Sequence, residues 1–207
     1  RSSMGIFEAL THALFQVGSI ITTTGYATAD FNEWTEVSRT ILVLLMFIGA
    51  CAGSTGGGIK VSRFITVFKT VFKEINSYIH PRSIKKIKMD GKPIDHETMR
   101  ATNVYFITFL SLFILSLFVI SFEEKDLITN FTAVAATINN IGPGLEMVGP
   151  TQNFAHFSPL SKYVLMFDML AGRLELFPML LLFVPTIWKE FFTHNPNKEK
   201  KKERIQP

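Results

Sequence analysis

The chain has 207 residues, of which 47% are hydrophobic and 20 are phenylalanine, and its formal net charge is +4. This length and composition fit either one large soluble core or a small membrane bundle, so the distribution of the apolar residues must decide. The single cysteine, Cys51, supports neither a disulfide framework nor a metal site. No Ser/His/Asp set, metal-ligand cluster or pair of catalytic carboxylates is evident, so we do not expect an enzyme.

The first predicted element is a short helix that leads into a glycine turn. Leu10, Leu14, Val17 and Ile21 repeat at a four-three-four spacing, which places them on one helical face. A helix of roughly 12 residues cannot cross a hydrocarbon core of about 30 Å, so we expect it to be re-entrant. Residues 22–26 then read Thr-Thr-Thr-Gly-Tyr. They partly match the T-V-G-Y-G loop in which potassium channels present backbone carbonyls to the ion.

The second predicted element is an apolar helix from Thr40 that breaks at glycines. Residues 53–58 read Gly-Ser-Thr-Gly-Gly-Gly, and each glycine weakens a helix by about 1 kcal/mol, so we expect an irregular, mobile loop. The stretch from Gly53 to Lys60 also invites comparison with a phosphate-binding loop. Ile59 separates the glycine from the lysine, however, and Val61 stands where that motif needs a hydroxyl. A membrane-bound nucleotide-handling enzyme is therefore the less favoured alternative.

Two basic segments flank the apolar ones. Residues 60–100 contain ten lysines and arginines against four acids, and the tail from Lys189 to Pro207 adds six more bases. By the positive-inside rule, both segments face the cytoplasm. We do not expect a nucleic-acid partner, because the bases flank apolar spans.

Two apolar stretches are long enough to cross a membrane. Residues 101–122 contain no formally charged side chain, and Tyr163–Trp188 is a second span of similar length. We therefore predict one spanning helix at each position.

A second short helix is predicted between these spans by the same four-three-four spacing, at Leu127, Phe131, Val134 and Ile138. Each of these residues lies 117 positions after its counterpart in the first short helix, and Gly142 lies 117 positions after Gly25. Residues 139–144 alone would be read as an ordinary Asn-Pro-Gly turn. The constant offset favours two copies of one unit, a short helix that leads into a glycine loop.

The order of elements is that of the membrane-pore-membrane unit of potassium channels, repeated twice. Four such loops surround an ion, so this chain supplies half of a ring. Since it opens on Arg1 and not on methionine, we expect a fragment that lacks N-terminal repeats. The predicted domains are a third pore repeat at 1–95, a fourth at 96–193 and a basic cytoplasmic tail at 194–207.

Arg173 is the most informative charge, because an ionisable residue within an apolar span is costly in lipid and usually faces a cavity. An offset of 117 aligns it with Gly56, and an offset of 126 aligns it with Phe47, so both registers place it near the glycine break. Asp168 and Glu175 lie in the same span and are expected to pair with Arg173 or with a base of another repeat. Transport coupling by a protonatable carboxylate is the alternative. A structural subunit without a pathway is disfavoured, because it would give the buried Arg173 no purpose.

The chain resembles the C-terminal half, repeats three and four, of the Trk/Ktr/HKT superfamily of potassium transporters, and most closely its bacterial TrkH type. Four motifs carry the resemblance in the family's order: Thr-Thr-Thr-Gly-Tyr at 22–26, Gly-Ser-Thr-Gly-Gly-Gly-Ile-Lys at 53–60, Asn-Asn-Ile-Gly-Pro-Gly at 139–144 and Gly-Arg-Leu-Glu at 172–175. It implies an all-α integral membrane protein with pseudo-fourfold pore repeats and re-entrant pore helices.

The resemblance also implies which residues form the ion pathway. The implied filter residues are Thr23, Thr24, Gly25, Asn140, Ile141 and Gly142, with K⁺ held by the backbone carbonyls of Thr24, Gly25, Ile141 and Gly142. The implied gate is an intramembrane loop under the filter together with a pore arginine: Gly53, Ser54, Thr55, Gly56, Gly57, Gly58 and Arg173.

The implied function is K⁺ uptake across the bacterial inner membrane, with the basic loop and the C-terminus in the cytoplasm. The implied partners are K⁺, membrane lipid, a second copy in a homodimer and a cytosolic ring of nucleotide-binding regulatory subunits, and the chain itself is expected to need no cofactor. A pore permeable to both Na⁺ and K⁺, or a symporter coupled to H⁺ or Na⁺, is the alternative within the same fold.

Overall fold

The computed structural model describes residues 5–51, 53–80, 87–89, 91–174, 176–186 and 188. The predicted basic tail and Glu175 lie outside these residues. The helices in the described part are α1 Ile6–Ile21, α2 Glu36–Phe47, α3 Val61–Ile79, α4 His96–Ser121, α5 Leu127–Ile138, α6 Pro159–Arg173 and α7 Leu176–Leu181. A small antiparallel hairpin, β1 Lys88–Met89 and β2 Lys92–Pro93, and three single 3₁₀ turns at Phe31–Glu33, Glu146–Val148 and Phe154–His156 complete the described secondary structure.

Helix α4 is the only helix in the described part that is long and apolar enough to cross a membrane. It has 26 residues, and its most apolar window has a mean hydropathy of 2.4. It contains nearly all of the uncharged stretch 101–122, so the long apolar helix predicted there is confirmed.

Helices α1 and α5 are the two predicted short helices, with 16 and 12 residues. Helix α5 lies at the centre of the fold, and its residues from Thr132 to Ile138 are all buried. Small side chains such as Ala133, Ala135 and Ala136 let α2, α4 and α6 pack closely around it. The Asp126 carboxylate accepts the Thr129 N–H at 2.9 Å and so satisfies one of the free donors at the start of α5.

The prediction of one continuous helix over Tyr163–Trp188 is wrong. Helix α6 ends at Arg173, and α7 begins at Leu176. Gly172 packs directly on the carbonyl oxygen of Ile138, where any Cβ would overlap that oxygen. A glycine is therefore required at this point, although it weakens the helix that contains it by about 1 kcal/mol.

The two long apolar segments thus break at related places. The last helical residues, Phe47 in α2 and Arg173 in α6, are 126 positions apart. This spacing equals one of the two registers considered from the sequence, the one that aligns Arg173 with Phe47.

Glu123, just after α4, attaches the end of that helix to the start of α6. Its Oε1 accepts the Ser158 N–H at 3.0 Å and the Ser161 hydroxyl at 2.6 Å. The hydrogen bonds from Ser158 and Ser161 lower the pKa of Glu123 from 4.5 to about 2. A carboxylate at this position also interacts favourably with the N-terminal end of the helix dipole.

Replacing Glu123→Gln should therefore lower the thermal unfolding midpoint of the detergent-solubilised protein at neutral pH. Because folding lowers the pKa of Glu123, its contribution is fully present above pH 4.5 and is lost as the pH falls towards about 2. The midpoint of the wild type should fall more steeply than that of the variant over this interval. The matched control is Glu124→Gln, at the adjacent exposed glutamate, and its unfolding midpoint should depend on pH as that of the wild type does. If the midpoints of all three proteins depended equally on pH, Glu123 would not stabilise the start of α6.

Candidate functional site

The two glycine loops have the same backbone conformation. Thr23 and Asn140 both have φ of 56°, and the glycines two positions later, Gly25 and Gly142, have φ of 80° and 109°. Non-glycine residues with positive φ are uncommon, so the repetition of two such positions at one offset is a specific likeness. The repeat inferred from apolar spacing is therefore also a repeat of backbone geometry.

The turn that follows each short helix is closed by equivalent hydrogen bonds. The Thr24 N–H donates to the Ser19 carbonyl at 2.9 Å, and the Ile141 N–H donates to the Ala136 carbonyl at 2.8 Å. In each case the donor lies five residues after the acceptor, which is the wide turn expected at a helix C-terminus. Both loops therefore leave their helices in the same way.

The two loops also lie directly against each other. A Cβ on Gly25 would overlap the carbonyl oxygen of Ile141 and would lie 3.5 Å from Cδ of Pro143. A Cβ on Gly142 would lie 4.0 Å from Cα of Gly25. The close approach and the positive φ both require glycine at position 25.

All six predicted filter residues thus fall on two touching loops. Five of them line one cavity of about 560 Å³: Thr23, Thr24, Asn140, Ile141 and Gly142. Apolar side chains of α6, among them Leu165, Met166 and Met169, form part of its wall. Backbone carbonyls on loops of this kind have the chemistry to replace the hydration shell of a monovalent cation.

The segment between α2 and α3 turns back on itself instead of continuing as a helix. Ile48 and Ile59 form a parallel bridge, and the Gly49 N–H donates to the Ile59 carbonyl at 2.8 Å. We call residues 49–60 the break loop. It lies where the glycine run predicted it, and all six predicted gate residues of that run belong to it.

The break loop contacts the residues that precede both filter glycines. The Gly57 N–H donates to the Thr23 hydroxyl at 3.3 Å. A Cβ on Gly57 would overlap the carbonyl oxygen of Asn139, and a Cβ on Gly58 would overlap the Asn139 amide oxygen. A side chain at either position would therefore push the loop away from the filter segment.

Lys60 ties the break loop together, a role that the sequence reasoning missed. Its ammonium donates to the Ser54 carbonyl at 2.9 Å, to the Ser54 hydroxyl at 3.3 Å and to the Gly56 carbonyl. Carbonyls in a non-helical loop at membrane depth need donors. The sequence feature that could have indicated this contact is the lysine at the end of the glycine run.

Arg173 is exposed at the end of α6 and makes no ion pair with another described residue. The helix around it packs on the second filter segment: Gly172 contacts Ile138, and the Asn140 side-chain amide donates to the Met169 carbonyl at 3.0 Å. The break loop and the end of α6 therefore contact the same stretch, residues 138–140.

The expected pairing of Asp168 with a base is not present among the described residues. Asp168 is fully buried, and its Oδ1 accepts the hydroxyl of Ser116 on α4 at 2.7 Å. Arg173 points away from this contact because it lies five positions further along the helix, which places it on a different face. The partner was missed because a serine within an apolar span gives no charge signal.

Within the described residues, no group of three or more His, Cys, Asp or Glu side chains is placed to hold a metal ion. The oxygen atoms available to a cation at the two loops are those of backbone carbonyls, threonine hydroxyls and asparagine amides.

Comparisons with known proteins by sequence and by structure match the same family. The family model for TrkH, a cation transport protein, matches residues 3–192. The Trk system potassium uptake protein TrkH of Salmonella typhimurium LT2 is 39% identical over 181 residues, which cover 87% of this chain and 37% of that protein. The Trk system potassium uptake protein TrkG of Escherichia coli K12 is 33% identical over 178 residues, covering 86% of this chain and 36% of TrkG.

A solved structure has the same fold. The crystal structure of the potassium transporter TrkH from Vibrio parahaemolyticus matches with a TM-score of 0.81 at 37% identity, covering 89% of this chain and 39% of that one. This match confirms the predicted all-α fold of membrane pore repeats. The chain spans less than two fifths of the length of each of these relatives.

Proposed function

The chain belongs to the TrkH family of cation transport proteins, and we propose that it forms half of a pore through which K⁺ enters the cell. The observation that carries this proposal is the contact between two loops with the same left-handed backbone positions. Two more such loops from preceding repeats would complete a ring around an ion. The relatives named above are potassium uptake proteins, which supports K⁺ as the transported ion.

In this proposal, the backbone carbonyls of Thr24, Gly25, Ile141 and Gly142 bind K⁺, with Thr23 and Asn140 at the entrance to each turn. The second loop, Asn-Asn-Ile-Gly-Pro-Gly, departs strongly from T-V-G-Y-G. The ring is therefore less symmetric than that of a tetrameric channel, and its discrimination against Na⁺ is weaker.

The gate in this proposal is the break loop, above all Gly53 to Gly58, together with Arg173. Contacts of the loop with Thr23 and Asn139 support it, because a loop in that position would obstruct an ion that leaves the filter. A fixed positive charge at the same level would repel cations until the loop moves. Lys60 would hold the loop in its obstructing form through the carbonyls of Ser54 and Gly56.

The remaining features of the proposal concern the whole protein. It lies in the bacterial inner membrane with residues 60–100 and the C-terminus in the cytoplasm. It forms a homodimer that docks a cytosolic ring of nucleotide-binding subunits, and this chain needs no cofactor and catalyses no reaction. Relatives are named as parts of a "Trk system", which supports a regulatory partner. The domain bounds 1–95, 96–193 and 194–207 remain predictions.

The proposal is tested by Rb⁺ uptake into K⁺-loaded liposomes that contain the full-length protein. Uptake should exceed that of protein-free liposomes, and external K⁺ should inhibit it at lower concentration than external Na⁺. No uptake would contradict the proposal. Equal inhibition by Na⁺ would favour the less selective pore, and uptake that requires a pH or Na⁺ gradient would favour a symporter. Binding of an ATP analogue by the purified protein alone would favour the nucleotide-handling enzyme.

A further inference from the structure

The two filter loops are anchored in different ways. After Gly25, the first loop is held by side chains of its own pore helix, α1. The Ser19 hydroxyl donates to the Tyr26 carbonyl at 2.6 Å, and the Gln16 side-chain amide donates to the Ala29 carbonyl at 3.2 Å. Both side chains are buried, so the first loop depends mainly on its own repeat.

The second loop is held by its own pore helix and, in addition, by residues of the other repeat. The Glu146 N–H, four positions after Gly142, donates to the side-chain oxygen of Asn32 at 2.9 Å. The Asn32 side-chain amide returns a hydrogen bond to the Glu146 carbonyl at 3.3 Å. Glu146 has φ of 52°, an uncommon conformation for a residue other than glycine. The two hydrogen bonds between Asn32 and the Glu146 backbone stabilise this conformation.

Arg39 in α2 fixes the Glu146 side chain as well. Its Nη2 donates to Oε1 of Glu146, and its Nη1 donates to Oε1 of Glu36 at 2.8 Å. Arg39 is only 8% exposed. Of its two carboxylate partners, Glu36 is 82% exposed and Glu146 is 44% exposed, so solvent screens the ion pair with Glu146 less than the pair with Glu36. We call Asn32, Arg39 and Glu146 the cross-repeat clamp.

Among the described residues, no ion pair holds the first loop to the other repeat; its side-chain contact there is the Thr151 hydroxyl, which donates to the Asp30 carboxylate at 2.8 Å. The offset of 117 aligns Glu146 with Ala29, which carries no charge. A Cβ on Gly149 would overlap the side-chain nitrogen of Asn32. Gly149, which follows the 3₁₀ turn Glu146–Val148, therefore makes room for the side chain of the clamp asparagine.

The segment between the clamp and the filter glycine is too tightly packed to absorb a displacement. The Leu145 N–H donates to the buried Thr132 hydroxyl at 2.9 Å, and the Gly144 N–H donates to the Val148 carbonyl at 2.7 Å. A Cβ on Gly144 would lie 2.8 Å from Cγ2 of Val148 and 2.9 Å from Oγ1 of Thr132. With Pro143 also restricted in φ, a movement of Glu146 is passed on to Gly142.

We propose that the cross-repeat clamp positions the second filter loop and thereby sets how well the pore discriminates K⁺ from Na⁺. The inference rests on the proposed function, because it assumes that Gly142 contributes to an ion filter. Selectivity depends on the number and placement of the carbonyls around the ion. Asn32, Arg39 and Glu146 are positioning residues that act on these carbonyls through residues 143–145 and do not touch the ion.

The test compares two carboxylates that bind the same guanidinium. Glu146→Gln weakens the link from Arg39 to the filter segment, whereas the control Glu36→Gln weakens only a contact within α2. Rb⁺ and Na⁺ uptake are measured in liposomes that contain the full-length protein. The Rb⁺/Na⁺ uptake ratio should fall about fivefold in Glu146→Gln, a change within the range of interaction energies between residues in direct contact. In Glu36→Gln the ratio should stay within about twofold of wild type.

Asn32→Ala is the second variant, since it removes the backbone hydrogen bonds to Glu146 without changing a charge. It should lower the same ratio, and it carries the test if Glu146→Gln does not fold. Wild-type protein that takes up no Rb⁺ would overturn the proposed function itself. Wild-type uptake with an unchanged ratio in both Glu146→Gln and Asn32→Ala would overturn the clamp inference alone, and an equal fall in Glu36→Gln would do the same.

Discussion

Gly25→Ala should reduce Rb⁺ uptake by the full-length protein at least about tenfold, because the added methyl group cannot be accommodated between the two filter loops. The Cβ would overlap the carbonyl oxygen of Ile141, and residue 25 has φ of 80°. A backbone of this kind costs a residue other than glycine about 1–3 kcal/mol. Relief of the overlap must move either the residue-25 carbonyl or the Ile141 carbonyl, and both are proposed ion ligands.

The matched control for this prediction is Gly18→Ala, seven positions earlier in α1. Among the described residues, a Cβ at Gly18 meets no atom within 4 Å, and alanine favours a helix over glycine by about 1 kcal/mol. Gly18→Ala should therefore leave the contact between the two filter loops unchanged and conduct as wild type does. Thermal unfolding in detergent separates a damaged filter from a misfolded chain. Wild-type uptake by a folded Gly25→Ala protein would show that the loop at Gly25 does not line the pathway.

The local repeat could be predicted from the sequence because it depends on short-range patterns of apolar residues and glycines. A four-three-four apolar spacing predicted both short helices, and the constant offset predicted that Gly25 and Gly142 are equivalent. The structure bears out both, down to the shared φ of Thr23 and Asn140. The family and the fold class followed from the order of motifs such as these, and both are confirmed.

Features that depend on close approach between distant segments could not be predicted. The apolar stretch Tyr163–Trp188 was predicted as one span, because hydropathy contains no information on the Ile138 carbonyl that faces Gly172. The contact of Asn32 with Glu146 joins positions 114 apart and has no periodic signal. Apolar spacing indicates which face of a helix will be covered but not what covers it.

Helices α1 and α5 illustrate this limit, because they have the same apolar spacing and different burial. Val17 and Ile21 of α1 are half-buried in this chain, whereas their counterparts Val134 and Ile138 of α5 are fully buried. Leu14 is 65% exposed, whereas its counterpart Phe131 is half-buried. The neighbours of α5, namely α2, α4 and α6, all belong to the described chain. The proposed pore gives α1 the corresponding neighbours in another repeat or in lipid.

Arg173→Gln should have the second large effect and should raise Rb⁺ uptake. A unit charge about 8 Å from a permeating ion raises its energy by about 2 kcal/mol at an effective dielectric constant of about 20. Removing that charge should increase uptake by about thirtyfold if the gate limits the rate, since each 1.4 kcal/mol corresponds to a factor of about ten in rate. Glutamine keeps hydrogen-bonding capacity, so a change in uptake reports the charge.

Arg100→Gln is the control for the loss of a positive charge as such, because Arg100 is exposed in the second turn of helix α4 and has no part in the proposed gate. It should leave uptake unchanged.

A gate that consists of the break loop and Arg173 together makes a further prediction. The increase in uptake caused by Arg173→Gln should be smaller when the loop is already displaced, for example in Gly57→Ala, whose Cβ would overlap the Asn139 carbonyl oxygen. Equal increases from Arg173→Gln in both backgrounds would mean that the arginine and the loop act independently, and no increase in either would remove Arg173 from the pathway.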